Sequence, residues 1–254
     1  MRTIALLSAK GGVGKTTASV NLAAAAAASG RRTLLVDLDP QGASSHLLRV
    51  RPACEIGAKA FWKGRHANTE SGESGLIRAA DVEQLEILPA IAALRRSEIV
   101  LDGLSGRRHR LEHLLERLAK QNPDGPWDVV IIDCPPGLGV LSDNILQSAD
   151  TVLVPVAPSI LALRTLTLLG DLAGERVSIL RPFLTMTKGT PSAVARDLHA
   201  AWPRALTTTI PTSVEIERAA VARLPVTVTA PRSTVARAFH RLWAEVADPH
   251  GAGG

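Results

Sequence analysis

Ser8-Ala9-Lys10-Gly11-Gly12-Val13-Gly14-Lys15-Thr16-Thr17 is the segment that most narrows what this chain can become. It follows a short aliphatic run, Thr3 to Leu7, and opens an alanine-rich helical pattern, Lys15 to Ser29, closed by Gly30. A glycine turn between a buried strand and a helix is where a phosphate-binding loop sits. The glycines let backbone N–H groups turn inward around phosphate oxygens. The helix starting near Lys15 points the positive end of its dipole at the same charge. Lys15 is placed to reach the β- and γ-phosphates, and the Thr16 hydroxyl to bind Mg²⁺. Gly11, Gly12, Val13, Gly14 and Thr17 complete the expected cradle. The strict pattern has Gly where Ala9 stands, so this is a variant loop.

The remaining strand-like runs set the fold class. Thr33–Asp37 (TLLVD), Trp127–Asp133 (WDVVIID), Thr151–Val156 (TVLVPV), Val177–Met186 and Leu206–Ile210 alternate with helical segments. Near-continuous apolar strands between helices predict an α/β fold: a mostly parallel, doubly wound sheet covered by helices on both faces. Among the 254 residues there is no Tyr and only three Phe, so the core is expected to be aliphatic. We expect one domain over residues 1–248 and a frayed tail over 249–254. Residues 50 to 80, with the pair Phe61-Trp62, read as a variable surface excursion, partly helical. No stretch resembles a transmembrane helix, and no signal peptide is expected ahead of the first strand.

Two further segments carry carboxylates at strand ends. Asp37-Leu38-Asp39-Pro40-Gln41-Gly42 follows the second strand, and Val129-Val130-Ile131-Ile132-Asp133-Cys134-Pro135-Pro136 carries Asp133 to the same expected sheet edge. Strand-end aspartates beside a phosphate loop suit Mg²⁺ and its waters. The two cysteines, Cys54 and Cys134, cannot build a disulfide framework, and Cys134 reads as a small buried hydrophobe. His109 and His113 have the i, i+4 spacing of zinc ligands, but Arg108 and Arg110 flank them and no third ligand is near, which favours a solvated face.

Taken together, KGGVGKTT, DLDPQG and VVIIDCPP resemble the ParA/MinD family of deviant Walker A ATPases, and within it the small, Soj-like ParA partition proteins. The resemblance covers nearly the whole chain. It implies the P-loop NTPase fold with ATP and Mg²⁺ as cofactors. It also implies that Lys10 reaches across a nucleotide-sandwich homodimer to the partner's phosphates, and that Asp39 positions the attacking water. By the same resemblance Asp37, Asp39, Asp133 and Thr16 serve the metal, partly through water. Pro211, in Ile210-Pro211, falls where relatives have a loop beside the adenine. Asn144 and Asp150 match a helix of local structural and switch-coupling use. The chain departs from many relatives in having Ala43 after Gln41-Gly42. It also has Leu184-Thr185-Met186-Thr187-Lys188 where MinD-type relatives carry an adenine-binding Asn.

The resemblance further implies slow, partner-stimulated ATP hydrolysis, non-specific DNA binding, a ParB-type centromere-binding partner and a cytoplasmic, nucleoid-associated location. The net charge is +5, and 23 of the 29 basic residues are Arg. That richness fits either genome composition or a phosphate-binding face. From Arg204 to Arg241 the net charge is +4, and Arg218, Arg223, Arg232, Arg237 and Arg241 are the candidate DNA contacts. Three alternatives remain open: a positioning ATPase for a chemoreceptor cluster or microcompartment, a MinD-like membrane-cycling ATPase, and a metallocluster carrier. Membrane binding is not expected, because the apolar stripe Val235, Phe239, Leu242, Trp243 and Val246 fits core packing. The helix-turn-helix extension of larger ParA proteins is not expected either.

Overall fold

A computed structural model describes residues 1–52, 55–63, 76–189 and 193–247. In chain order its elements are β1 (Arg2–Leu6), α1 (Lys15–Ala28), β2 (Thr33–Asp37), α2 (Ala43–Leu47), α3 (Ala58–Lys63), β3 (Arg78–Ala79) and β4 (Leu85–Leu88). Then come α4 (Ser97–Asp102), α5 (Arg110–Gln121), β5 (Val129–Asp133), α6 (Val140–Ser148), β6 (Thr151–Val156) and α7 (Ile160–Ala173). The last are β7 (Leu180–Thr187), α8 (Ala193–Ala201), β8 (Ile210–Pro211), α9 (Val214–Ala222), α10 (Val226–Thr229) and α11 (Thr234–Ala247). The strands form one sheet in the order β3-β4-β2-β5-β1-β6-β7-β8, parallel except for the short edge strand β3.

Alternate strand residues feed two separate apolar layers. Ala5, Leu34, Val36, Val130, Ile132, Val152 and Val154 face the layer that includes α3 to α7. Ile4, Leu6, Leu35, Val129, Ile131 and Leu153 face the layer built on α1 and α11. Both faces are therefore dry, which is why the central strands read as unbroken aliphatic runs. The alanines of α1 let that helix lie close to the sheet, and Gly30, at φ +81°, ends the helix. On α11 the stripe Val235, Phe239, Leu242, Trp243 and Val246 is buried, so it is spent on the core.

Three expectations are corrected. The segment Leu206–Ile210 is not a strand: pairing is confined to Ile210–Pro211. Thr207 and Thr208 give their backbone N–H groups to the Glu245 carboxylate instead, at 2.7 and 3.0 Å. The strand expected over Val177–Met186 begins only at Leu180, because a 3₁₀ turn occupies Gly174–Ile179. Phe61 and Trp62 belong to the core rather than to a surface excursion. Both are buried, their rings meet edge-on at 5.0 Å, and the Trp62 indole N–H donates to Ser97 Oγ at 3.0 Å. The parallel strand β4 beside β2 is an addition to the expected set.

Candidate nucleotide-binding site

The carboxyl ends of β1, β2 and β5 are neighbours, so the glycine loop and both strand-end carboxylates meet at one sheet edge. Asp37 and Asp133 are direct register partners, and Leu6 pairs with Asp133 from the other side. Gly12 and Gly14 have φ of +73° and +88°, which other residues adopt only under strain. Nothing lies within 4 Å of a Cβ placed at either position, so the turn, not crowding, demands glycine. Val13 is buried, and the Thr185 hydroxyl pins its carbonyl at 2.9 Å.

Lys15 is buried and its ammonium donates to the Lys10 carbonyl at 3.3 Å. Burial lowers its pKa, opposed by the negative charge of Asp133 and, further off, Asp39. An ammonium held this way gains most from the arrival of phosphate oxygens. Lys10 differs in every respect. It is exposed, and among the described residues its ammonium has no partner, while its backbone N–H rests on Ser8 Oγ at 3.3 Å.

The acidic half of the site is built from short hydroxyl contacts. Asp133 accepts from Ser44 Oγ at 2.7 Å and Ser19 Oγ at 3.0 Å, and from the Thr16 hydroxyl. Asp37 accepts from Ser45 Oγ at 2.7 Å and Ser45 N–H at 2.8 Å, and from the Asp39 N–H at 3.2 Å. Ser45 Oγ also accepts from the Ala90 N–H at 2.9 Å. Tandem serines at the start of α2 thus hold the two buried carboxylates. Asp39 is half-buried, and its Oδ1 accepts from the Gln41 N–H at 2.9 Å.

This donor set fits Mg²⁺. The hard oxygens of Thr16, Asp37 and Asp133 converge beside a phosphate cradle, and Mg²⁺ characteristically takes one or two carboxylates plus phosphate oxygens and waters. Burial, then repulsion from Asp133, pushes the Asp37 carboxyl up to about 7, against the pull of Ser45 and Asp39. A divalent cation relieves that repulsion. Without one, the folded chain keeps a proton on Asp37 that the unfolded chain releases above about pH 4. Stability of the nucleotide-free protein in EDTA should therefore fall as pH rises from about 4 to about 7, by on the order of a few kcal/mol, and level off above. Thermal unfolding across that range checks this; an equally steep fall in Asp37→Asn would contradict it.

The base-side cleft lies beyond the loop. It encloses about 580 Å³ and is lined by Gly14, Thr17, Met186, Pro211, Ile216 and Phe239, among others. Pro211 is therefore brought beside the loop. Met186, at φ +54° and half-exposed, occupies a backbone state rare for its type.

Other candidates separate. Cys134 is buried, with its thiol pushed well up by burial, and Cys54 lies outside the described residues. His109 pairs with Glu112 at 2.9 Å, and no metal-holding cluster of His, Cys, Asp and Glu occurs among the described residues. Asn144 accepts from the N–H groups of Arg110 and Leu111, and Asp150 accepts from that of Thr3, so both are structural fasteners. Arg237 and Arg241 are exposed on α11, opposite its core stripe, with Arg232 exposed just before it. Arg218 is exposed but pairs with Glu215 at 2.9 Å. Arg223 is half-buried and donates to the His46 carbonyl at 2.8 Å, so it ties α9 to α2. Ser19, Ser44, Ser45, Thr185 and Met186 join the site without having been expected. Their partners lie up to 172 positions away in the chain, so no local pattern marks them.

A family model described as an AAA domain matches residues 1–176. The chromosome partitioning protein ParA of Caulobacter vibrioides is 33% identical over 97% of this chain and 94% of its own length. The sporulation initiation inhibitor protein Soj of Bacillus subtilis is 39% identical over 65% of this chain and 62% of its own length. Among solved structures, the septum site-determining protein MinD of Pyrococcus horikoshii, complexed with Mg-ADP, superposes with a TM-score of 0.77 at 24% identity, covering 98% of this chain and 97% of that one. No helix among the described residues is long and apolar enough to cross a membrane.

Proposed function

The chain belongs to the ParA/MinD family of P-loop ATPases, and from that premise we propose that it is an ATP-driven dimerisation switch that binds DNA without sequence preference and positions a plasmid or chromosomal cargo. One observation carries this reading: a second loop lysine, Lys10, that is exposed and has no partner of its own among the described residues. A single triphosphate is already served by Lys15. A further ammonium at the lip suits phosphates held by a second copy, as an arginine finger does in trans.

The mechanism follows from the residues. Backbone N–H groups of the loop, Gly11 to Gly14 with Thr16 and Thr17, grip the phosphates, and Lys15 neutralises the β- and γ-oxygens. Thr16, Asp133 and Asp37 hold Mg²⁺, which when bound spreads the charge of the transferring phosphoryl group. Asp39 orients a water toward the γ-phosphorus. The new bond joins that oxygen to phosphorus while the bond to the β–γ bridging oxygen breaks, releasing ADP and phosphate. Lys10 from the second copy counters the charge developing there. Pro211 and Met186 bound the base pocket. Because each monomer completes the other's site, ATP favours the dimer and hydrolysis dissolves it. A ParB-type partner speeds that step and thereby releases DNA, which places the protein on the nucleoid.

Arg218, Arg223, Arg232, Arg237 and Arg241 are the proposed DNA contacts, Arg237 and Arg241 foremost because their forks face solvent. Filter binding on two unrelated duplexes tests the reading. With Mg-ATP both duplexes should bind alike. Log affinity should fall with log salt by roughly 0.9 per phosphate contacted, a slope on the order of −4 to −5 for a dimer with two or three contacts per monomer. Binding indifferent to both nucleotide and salt would contradict it.

A further inference from the structure

A second concentration of positive charge lies at the opposite edge of the sheet from the glycine loop. Arg2 at the start of β1, Arg181 at the start of β7 and Arg204 after α8 line one open cleft of about 1510 Å³, with His199 at its margin. Each guanidinium spends a donor on a backbone carbonyl: Arg2 on Ala247 at 2.9 Å, Arg181 on Glu245 at 3.3 Å, Arg204 on Ser178 at 2.8 Å. A guanidinium has five N–H donors, so these contacts fasten the forks and leave most of each free. None of the three forms an ion pair among the described residues.

The two carboxylates in the cleft are turned to other work. Glu245 accepts from the Thr207 N–H and hydroxyl and from the Thr208 N–H; burial pushes its carboxyl up, but these bonds hold it below its ordinary range. Asp150 accepts from the Thr3 N–H at 2.7 Å. Burial lowers the Arg181 pKa; Glu245 opposes this, while Arg2 and Arg204 add repulsion. Three cations crowded together without paired anions are a poor arrangement for folding alone. An incoming polyanion would relieve it.

The cleft is also joined to the exposed face of α11. Arg237, Arg241 and Glu245 stand at i, i+4 and i+8, so the exposed arginine stripe runs along the helix, about 6 Å per step, to the cleft mouth. We propose that this cleft is a phosphate-binding site continuous with Arg237 and Arg241, and that the backbone of a DNA duplex occupies it. The proposal rests on the DNA-binding reading above and says which surface the duplex follows: α11 toward the edge of the sheet away from the nucleotide.

Paired glutamines test it. Arg181→Gln with Arg204→Gln keeps a donor for each carbonyl and removes both charges. With Mg-ATP and full-length protein, the double variant should bind duplex DNA at least about tenfold more weakly at about 50 mM salt, with a salt slope shallower by about 1.8 for each monomer in contact. Its ATP affinity should match the wild type. Arg95→Gln with Arg96→Gln, exposed on the turn before α4, should change DNA binding far less. If the glutamine variant misfolds, Arg181→Lys with Arg204→Lys retains the charge and should retain the slope. Wild-type DNA binding that the cleft variant fully retains overturns the proposal while leaving DNA binding intact. A wild type that binds no duplex in any nucleotide state overturns the underlying reading, and this proposal with it. Saturable binding of inorganic phosphate, lost in the cleft variant while DNA affinity is unchanged, would make the cleft a small-anion site and also overturn the proposal.

Discussion

Lys15→Ala should lower ATP affinity by at least about a hundredfold, because removing one member of a buried, charge-paired contact costs roughly 3–5 kcal/mol. The effect on folding should be the opposite of what a buried lysine suggests. Without phosphate the Lys15 ammonium has one carbonyl partner, at 3.3 Å, and burial already weighs against its charge. Its loss should leave the thermal midpoint of the nucleotide-free protein unchanged or slightly raised. Equilibrium binding of a fluorescent ATP analogue together with thermal unfolding separates the two outcomes. Unchanged affinity would remove Lys15 from the phosphate site. Lost affinity accompanied by a collapsed fold would make it a structural residue.

Asp39→Asn should keep ATP bound and slow its hydrolysis by about 10²- to 10⁴-fold, the range associated with a positioned acid–base group. Asn retains an acceptor for the Gln41 N–H that now bonds Asp39 Oδ1 at 2.9 Å, so the turn should survive while the charge is lost. Phosphate release under single-turnover conditions is the measurement. Wild-type turnover would assign the water to another group. Asp37, although only two positions away, predicts a different outcome. It is buried and saturated by Ser45 and the Asp39 N–H, so its loss should weaken Mg²⁺ dependence before it affects water.

Much of this site was legible because its parts are contiguous in the chain. The loop Lys10–Thr17, the Asp37–Gly42 turn and the strand ending at Asp133 each carry their chemistry within a few residues, on strands whose apolar runs are unmistakable. Sheet order then brings the three together. What stayed hidden depends on distant pairing. Ser19 and Ser44 matter because Asp133 stands beside them, 114 and 89 positions away in the chain. Strand β4 has four residues, one of them Glu86, whose carboxylate takes the Trp127 indole N–H; a strand that short and interrupted has no periodicity to read. The aliphatic Leu206–Ile210 read as a strand because nothing local announces that Glu245 claims the backbone of Thr207 and Thr208. Phe61-Trp62 was assigned to the surface by its polar neighbours, whereas a T-shaped pair of buried rings seals the layer under α4 and α5.

The most direct test of the account is the mass of the protein in solution, by light scattering on a sizing column, with Mg-ATP and with Mg-ADP. In an Asp39→Asn background, where ATP persists, the 26.8 kDa chain should double its mass with ATP and remain single with ADP. Adding Lys10→Ala to that background should leave ATP affinity within a few-fold yet abolish the doubling, because Lys10 serves the neighbour's phosphates and not its own. A chain that stays monomeric with bound ATP, or a Lys10→Ala variant that dimerises as readily as its parent, would contradict the shared-site switch.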